Sequence, residues 1–285
     1  MTIGKRIGLL MGLAAAVLLV AGGSAMAQAP LKVMSFNIRY ANEKDGVNAW
    51  EKRREVTAAM LEKAAPDLFG TQELLKVQGD FLAARLKNYA WFGVDRRGGH
   101  GDEHMGIFYR TDRLKLVESG NFWLSDTPEV VGSLTWGHPL PRMVTWGLFE
   151  TIAGKRRFYA FNTHLPYREE DEDARTKGAE LILRRIEAMA GDTPVVLTGD
   201  FNTVPGSAAY RTLSARLQDA WTSAPKREGP ELTFHDFTGT PTKRIDWIFS
   251  RWFVPKRVWT ITDHQGPVQT SDHFPVMIEL GWTKR

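Results

Sequence analysis

The chain has 285 residues, of which 43% are hydrophobic, 11% aromatic and 25% charged; this supports a large globular core and excludes disordered and collagen-like classes. Basic side chains outnumber acidic ones by 37 to 33, but Lys5 and Arg6 fall in the leader described next, so the rest of the chain is close to charge balance and does not hold nucleic acid by bulk charge. The absence of cysteine excludes disulfides, thiolate metal sites and cysteine nucleophiles.

Lys5 and Arg6 precede an almost wholly apolar run from Ile7 to Ala21, and Ala25-Met26-Ala27 offers the small-x-small pattern of a signal-peptidase site. The run is about 15 residues, short of the roughly 20 that a membrane-spanning helix needs. Residues 1–27 are therefore predicted to be a cleaved signal peptide, and residues 28–285 a single soluble domain in the periplasm or outside the cell. No later segment is predicted to insert in a membrane, and a monomer is expected.

Past the leader, Lys32 to Ile38 is predicted as a strand, Trp50 to Ala65 as an amphipathic helix, Asp67 to Gln72 as a strand and Leu75 to Leu86 as a helix. Strands are expected at Tyr89 to Val94, Met105 to Arg110, Leu114 to Ser119, Met143 to Glu150 and Arg157 to Asn162. Glu170 to Ala190 reads as a long helix whose acidic first turn suits the positive helix end. Further strands are expected at Pro194 to Thr198, Ile245 to Ser250, Val258 to Thr262 and Val276 to Leu280. Neighbouring strands mixed with few helices imply an α/β protein with largely antiparallel sheets. Ser125 to Arg142 interrupts the pattern: Pro128, Pro139, Pro141, Gly132 and Gly137 forbid a helix or a central strand there, and a loop of that length is expected to serve function.

Polar residues recur at the ends of these strands: Asn37 closes "VMSFN", Glu73 "LFGTQE" and His164 "FYAFNTH". Asp200 and Asn202 follow "VVLT", Asp246 opens "DWIFS", and Asp272-His273 lie in "TSDHFPV". One Asp at a strand end is more often a turn residue than a ligand. Strand ends share the rim of a sheet, however, so a repeated set can converge. The ordered motifs "SFNIRY", "GTQE", "FNTHL", "GDFN", "RIDWIFS" and "SDHFPV", from Leu31 to about Leu280, resemble the endonuclease/exonuclease/phosphatase superfamily, and within it a bacterial, exported subgroup of hydrolases. The resemblance implies a four-layer α/β sandwich, two mainly antiparallel sheets packed face to face with helices outside.

It also implies phosphoester hydrolysis and a role for each residue. Glu73 would bind a divalent metal, with Asn37 and Asp272 completing or buttressing the site; oxygen donors without sulfur favour Mg²⁺ or Mn²⁺. Asp200 would activate the attacking water, helped by Asn202. His164 and His273 would donate to phosphate oxygens, and Asp246 would orient and charge His273.

Weaker signals concern the substrate. Arg142, stiffened by Pro141, is expected to grip a phosphate, with Trp136 as a pocket wall; Glu103 and His104 of "HGDEH" are candidates for the pocket rim. A small phosphorylated substrate leads: a sugar or inositol phosphate, or a compact phosphodiester. Nucleic acid remains open as a substrate, as does a sphingomyelinase-like lipid phosphodiester for which "RWFVPKRVW" would be the docking hairpin. A glycosidase leaves the histidines and asparagines unexplained, and a non-catalytic binding module would have no reason to keep the whole set.

Overall fold

In the computed structural model the chain is described over residues 1–4 and 29–283. The apolar run of the expected leader and the cleavage site after Ala27 lie outside the described residues. The strands are β1 (Leu31–Asn37), β2 (Leu68–Gln72), β3 (Tyr89–Phe92), β4 (Ile107–Arg110), β5 (Leu114–Trp123), β6 (Met143–Thr151), β7 (Arg157–His164) and β8 (Val195–Asp200). They continue with the short β9 (Gln218–Asp219) and β10 (Lys226–Glu228), β11 (Asp246–Arg251), β12 (Phe253–Thr260), the short β13 (His264–Gln265) and β14 (Val268–Gln269), and β15 (Val276–Trp282). Helices are α1 (Trp50–Ala64), α2 (Lys76–Arg85), α3 (Glu172–Ala190), α4 (Ala208–Ser214) and α5 (Ala220–Ser223).

A seven-stranded sheet runs β10-β12-β15-β1-β2-β4-β3, and a six-stranded sheet runs β5-β6-β7-β8-β11-β9. Most neighbours are antiparallel, as expected, but each sheet carries a parallel pair near its middle: β1 with β2, and β7 with β8. Period-two alternation decides what each face does. Val33, Leu68 and Ile278 of one sheet meet Phe158, Ala160, Val196 and Ile248 of the other in the core between the sheets. The opposite faces turn outward: Met34, Phe36, Phe69 and Phe108 pack on Trp50, Ala58 and Leu61 of α1 and Leu82 of α2. Phe161, Leu197 and Phe249 pack on Ile182 and Ile186 of α3 and Leu213 of α4. The result is the four-layer sandwich implied by the motifs.

Toward the carboxyl ends of the parallel strands the layer between the sheets changes character. Val33 gives way to Ser35 and Asn37, Leu68 to Gly70 and Gln72, Ala160 to Asn162 and His164, Val196 to Thr198 and Asp200. The middle residues of these series form a sealed polar layer: Gln72 Nε2 donates to Asn162 Oδ1 (2.7 Å), Thr198 Oγ1 to the same oxygen (3.0 Å), and Asn162 Nδ2 to the carbonyl of Thr71 (2.7 Å). Gly70 lets the sheets approach here; a Cβ would lie 2.1 Å from Thr198 Oγ1 and 2.5 Å from Asn162 Oδ1. Buried polar groups satisfied in this way fix register as well as adding stability.

Several element boundaries depart from expectation. β5 runs on to Trp123 with an irregularity between Leu116 and Glu118, which shifts the alternation partway along. β12 starts at Phe253, five residues early, because edge pairing with β15 tolerates Pro255 beside another bulge. "RWFVPKRVW" is therefore the end of β11 and most of β12, and the docking hairpin considered for it is not formed. The short helices α4 and α5 were not expected; Ser207 and Asp219 cap them, accepting from Tyr210 N and Trp221 N.

Candidate active site

Parallel pairing brings the carboxyl ends of strands side by side, and that is how the site is assembled. Asn37 and Gln72 are register partners, with Glu73 just beyond; His164 and Asp200 are partners across β7 and β8; Asp246 faces Asp200 across β8 and β11. The Asp272-His273 turn enters β15, which runs antiparallel to β1 and so begins beside the end of that strand. Arg53 of α1 holds this corner together: its guanidinium donates to the carbonyls of Ile38 (2.8 Å), Arg39 (2.6 Å) and Thr270 (2.9 Å).

The eight core residues expected at the rim are thus gathered, and all but Asn37 and Asp246 line a cavity of about 580 Å³. Asn37 Nδ2 donates to Asp200 Oδ2 (2.9 Å) and Glu73 Oε1 (3.1 Å), while its Oδ1 accepts from Arg39 N (2.9 Å). Of the two roles expected for Asn37, completing or buttressing the metal site, the geometry matches the second: its amide braces two carboxylates and its oxygen accepts from the backbone. Asp246 Oδ2 lies 2.8 Å from His273 Nδ1, leaving His273 Nε2 for the cavity, 4.0 Å from Asp200 Oδ2. Burial opposes a charged ring, but the carboxylates of Asp246, Asp272 and Asp200 outweigh it and hold the His273 imidazolium well above the usual histidine value. His164 is the opposite case: burial, then the nearby charges of Arg142 and His273, push it well below that value. It therefore enters as a neutral imidazole, with Nε2 2.9 Å from Asn202 Nδ2 and 3.5 Å from Asp200 Oδ2. Asp200 itself is pushed up to about 7, by burial first and by the Asp246 carboxylate second.

Arg39, Glu73, Asn202 and Asp236 all hold positive φ, between 48° and 60°. Such backbone costs on the order of 1–3 kcal/mol per residue, and its concentration around one cavity marks a functional site.

The donor set suits a hard divalent cation. Glu73 and Asp272 offer carboxylate oxygens that converge on Arg39 Nη1 at 4.0 and 3.8 Å, longer than a hydrogen bond, and buried Asp246 Oδ1 has no partner among the described residues. Asp200, Asp246 and His273 also bring ligand atoms within 4.8 Å of one another. In that group Asp246 Oδ2 and His273 Nδ1 are joined to each other at 2.8 Å.

Of the four weaker candidates, two reach the cavity. Arg142 and Glu103 line it, at the end where Arg96 pairs with Asp102 (2.8 Å) and Glu103 (3.0 Å). His104 does not: it is fully buried behind the wall, with Nδ1 3.0 Å from the Leu74 carbonyl and Nε2 2.9 Å from His100 Nδ1. Trp136 does not either. Its Nε1 donates to Asp126 Oδ1 (2.8 Å) and its ring packs on the α3-side core, so it holds the Pro-rich loop down. That loop reaches the cavity only through Leu140 and Arg142. Sequence reasoning missed Arg39, Arg96, Tyr167, Asp236 and Lys243, which line the cavity from loops. Arg39 lies inside "SFNIRY" and was within reach; the others carry no periodic signal.

A sequence profile described as the Endonuclease/Exonuclease/phosphatase family matches residues 34–273. A solved protein of that description from Bacteroides thetaiotaomicron superposes with a TM-score of 0.85 at 35% identity, covering 90% of this chain and 98% of that one. The mannosyl-6-phosphatase of the same organism gives 0.84 at 35% identity, over 88% and 100% of the two chains. The tyrosyl-DNA phosphodiesterase 2 of Danio rerio is 23% identical over 87% of this chain and 61% of its own length. The chain spans about a quarter to two thirds of the length of the curated relatives it matches.

Proposed function

The chain belongs to the Endonuclease/Exonuclease/phosphatase family, and on that premise we propose that it is a divalent-metal-dependent phosphohydrolase in which a water activated by Asp200 attacks phosphorus. The observation that carries this reading is the pairing of Asp200, pushed up to about 7, with the 2.8 Å Asp246–His273 dyad in one cavity. A carboxylate poised near neutral pH has the basicity a general base needs. Asn37 and the backbone N–H of Asn202 each donate to Asp200 at 2.9 Å, fixing the direction of its oxygens. His273, kept charged by Asp246, faces the side where negative charge builds up on the phosphoryl oxygens. On the six-stranded side the Asn202 amide donates to His164 Nε2 (2.9 Å) and to the Leu165 carbonyl (3.1 Å), so this pair fixes the cavity wall beside Asp200. Glu73 and Asp272 would hold Mg²⁺ or Mn²⁺, which when bound withdraws charge from the phosphoryl and leaving oxygens.

We propose a small phosphorylated substrate, a sugar phosphate before others. The support is a cavity of about 580 Å³ rather than a long basic groove, a nearly balanced charge, and a similar protein that is a mannosyl-6-phosphatase. Phosphodiester cleavage is the second reading, favoured by the likeness to tyrosyl-DNA phosphodiesterase 2. The signal-peptide pattern at residues 1–27 supports action outside the cytoplasm. The test is a panel on the purified protein with Mg²⁺ or Mn²⁺: plasmid DNA, RNA, a lipid phosphodiester and sugar phosphates, each also with chelator. Turnover of a sugar phosphate that chelator abolishes supports the proposal; preferred nicking of DNA, or no turnover of any member, overturns it.

A further inference from the structure

The cavity lining is unevenly closed: Arg142 is 3% exposed and Arg96 7%, and these buried arginines make its closed end, whereas Tyr167 is 55% exposed and Asp236 and Lys243 are open to solvent. At the closed end the charges are not equally satisfied. Arg96 is neutralised by Asp102 and Glu103, at 2.8 and 3.0 Å. Arg142 has no ion pair, and its buried Nη1 has no hydrogen-bond partner among the described residues. Its position is firm: Pro141 precedes it, Met143 begins β6, and its carbonyl accepts from Leu124 N at 2.7 Å. A buried guanidinium without a hydrogen bond is costly unless a ligand supplies the acceptors.

We infer that this pocket selects phosphomonoesters over phosphodiesters: the terminal phosphoryl group lies at the closed end with two of its oxygens on Arg142, and the alcohol points toward the exposed Tyr167 and Lys243. The inference rests on the phosphohydrolase reading above and narrows it. A monoester near neutral pH carries close to two negative charges on three terminal oxygens, since its second pKa is about 6. A diester carries one charge on two terminal oxygens, and its second alcohol must go where the third oxygen would be. Here that place is filled by Arg142 under a closed wall. A guanidinium fork matches two phosphoryl oxygens of the dianion, which a Lys ammonium does not reproduce.

The test compares 4-nitrophenyl phosphate with methyl 4-nitrophenyl phosphate, which share a leaving group and differ by one methyl cap on a terminal oxygen. Wild-type protein with Mn²⁺ is expected to favour the monoester by ~10²-fold or more in kcat/KM, the size of effect one charge-stabilising donor commands. Arg142→Gln is expected to reduce that preference at least tenfold, and Arg142→Lys to fall between. If Arg142→Gln fails to fold, the wild-type ratio and Arg142→Lys carry the test. Equal rates or diester preference in the wild type overturns the monoester assignment alone, as does an equal loss on both substrates in the variants. Hydrolysis of neither compound by the wild type overturns the phosphohydrolase reading with it.

Discussion

Asp200→Asn is expected to make the metal-free protein more stable while removing its activity. The carboxyl is buried at the rim of β8, and its folded value of about 7 lies some three units above the usual 3.8. A raised acid binds its proton more tightly in the folded chain, so folding loses stability as pH rises between the unfolded and folded values. Below about 4 both states are protonated and nothing is lost. Above 7 the full penalty applies, on the order of 4 kcal/mol at about 1.4 kcal/mol per unit. Asparagine keeps the shape and cannot ionise, so the variant's gain should grow from about 1–2 kcal/mol at pH 5 toward 4 at pH 8. Loss of the Asp200 charge 4.0 Å from the His273 imidazolium, and of one of the two acceptors used by Asn37 Nδ2 and Asn202 N–H, subtracts from both figures without removing their growth with pH. Urea unfolding of both proteins in chelator at pH 5 and pH 8 measures this directly. An Asp200→Asn protein no more stable than wild type at pH 8, or a gain that does not grow with pH, refutes the reasoning that Asp200 is an unneutralised buried base.

Three further outcomes follow from the same geometry. His273→Ala should lower turnover by ~10²–10³-fold and Asp246→Asn by much of that; because the two act through one 2.8 Å contact, the double variant should lose little more than His273→Ala alone, and full additivity in free energy would separate them. Glu73→Gln should weaken Mn²⁺ binding in calorimetry by ~10-fold or more while the far-ultraviolet dichroism stays that of wild type; unchanged affinity places the cation elsewhere. Arg53→Lys loses the fork that ties Ile38, Arg39 and Thr270 and should cost ~2–4 kcal/mol in urea unfolding, against under 0.5 if these hydrogen bonds are incidental.

The rim was legible because a strand writes its direction into its sequence. Val33, Ser35 and Asn37 share one face, as do Val196, Thr198 and Asp200, so the change from apolar to polar along each series shows where the core ends and the site begins. The parallel pairs that place Glu73 beside Asn37 and Asp200 beside His164 could not be read from period, and the expectation of mainly antiparallel sheets did not include them. Loops carry no such period. Trp136 and His104 look like pocket residues by composition, yet a hydrogen bond to Asp126 holds one and a hydrogen bond to the Leu74 carbonyl the other, contacts set by where distant loops fold back. For the same reason Arg96 was invisible, while Arg142, one residue before β6, lines the cavity. Gln72 and Asn162 stood inside quoted motifs, but their role needed the second sheet: Gln72 Nε2 donates to Asn162 Oδ1 across the interface, and Asn162 Nδ2 to the Thr71 carbonyl.

The central claim, attack of an Asp200-activated water on phosphorus, is tested most directly by turnover in water enriched in oxygen-18. The phosphoester that the purified protein hydrolyses fastest with Mn²⁺ is the substrate to use. The account predicts one labelled oxygen per released phosphate, none in the alcohol, and no label incorporated with Asp200→Asn or in excess chelator. Label in the alcohol, or labelled phosphate formed at the wild-type rate by Asp200→Asn, would contradict it.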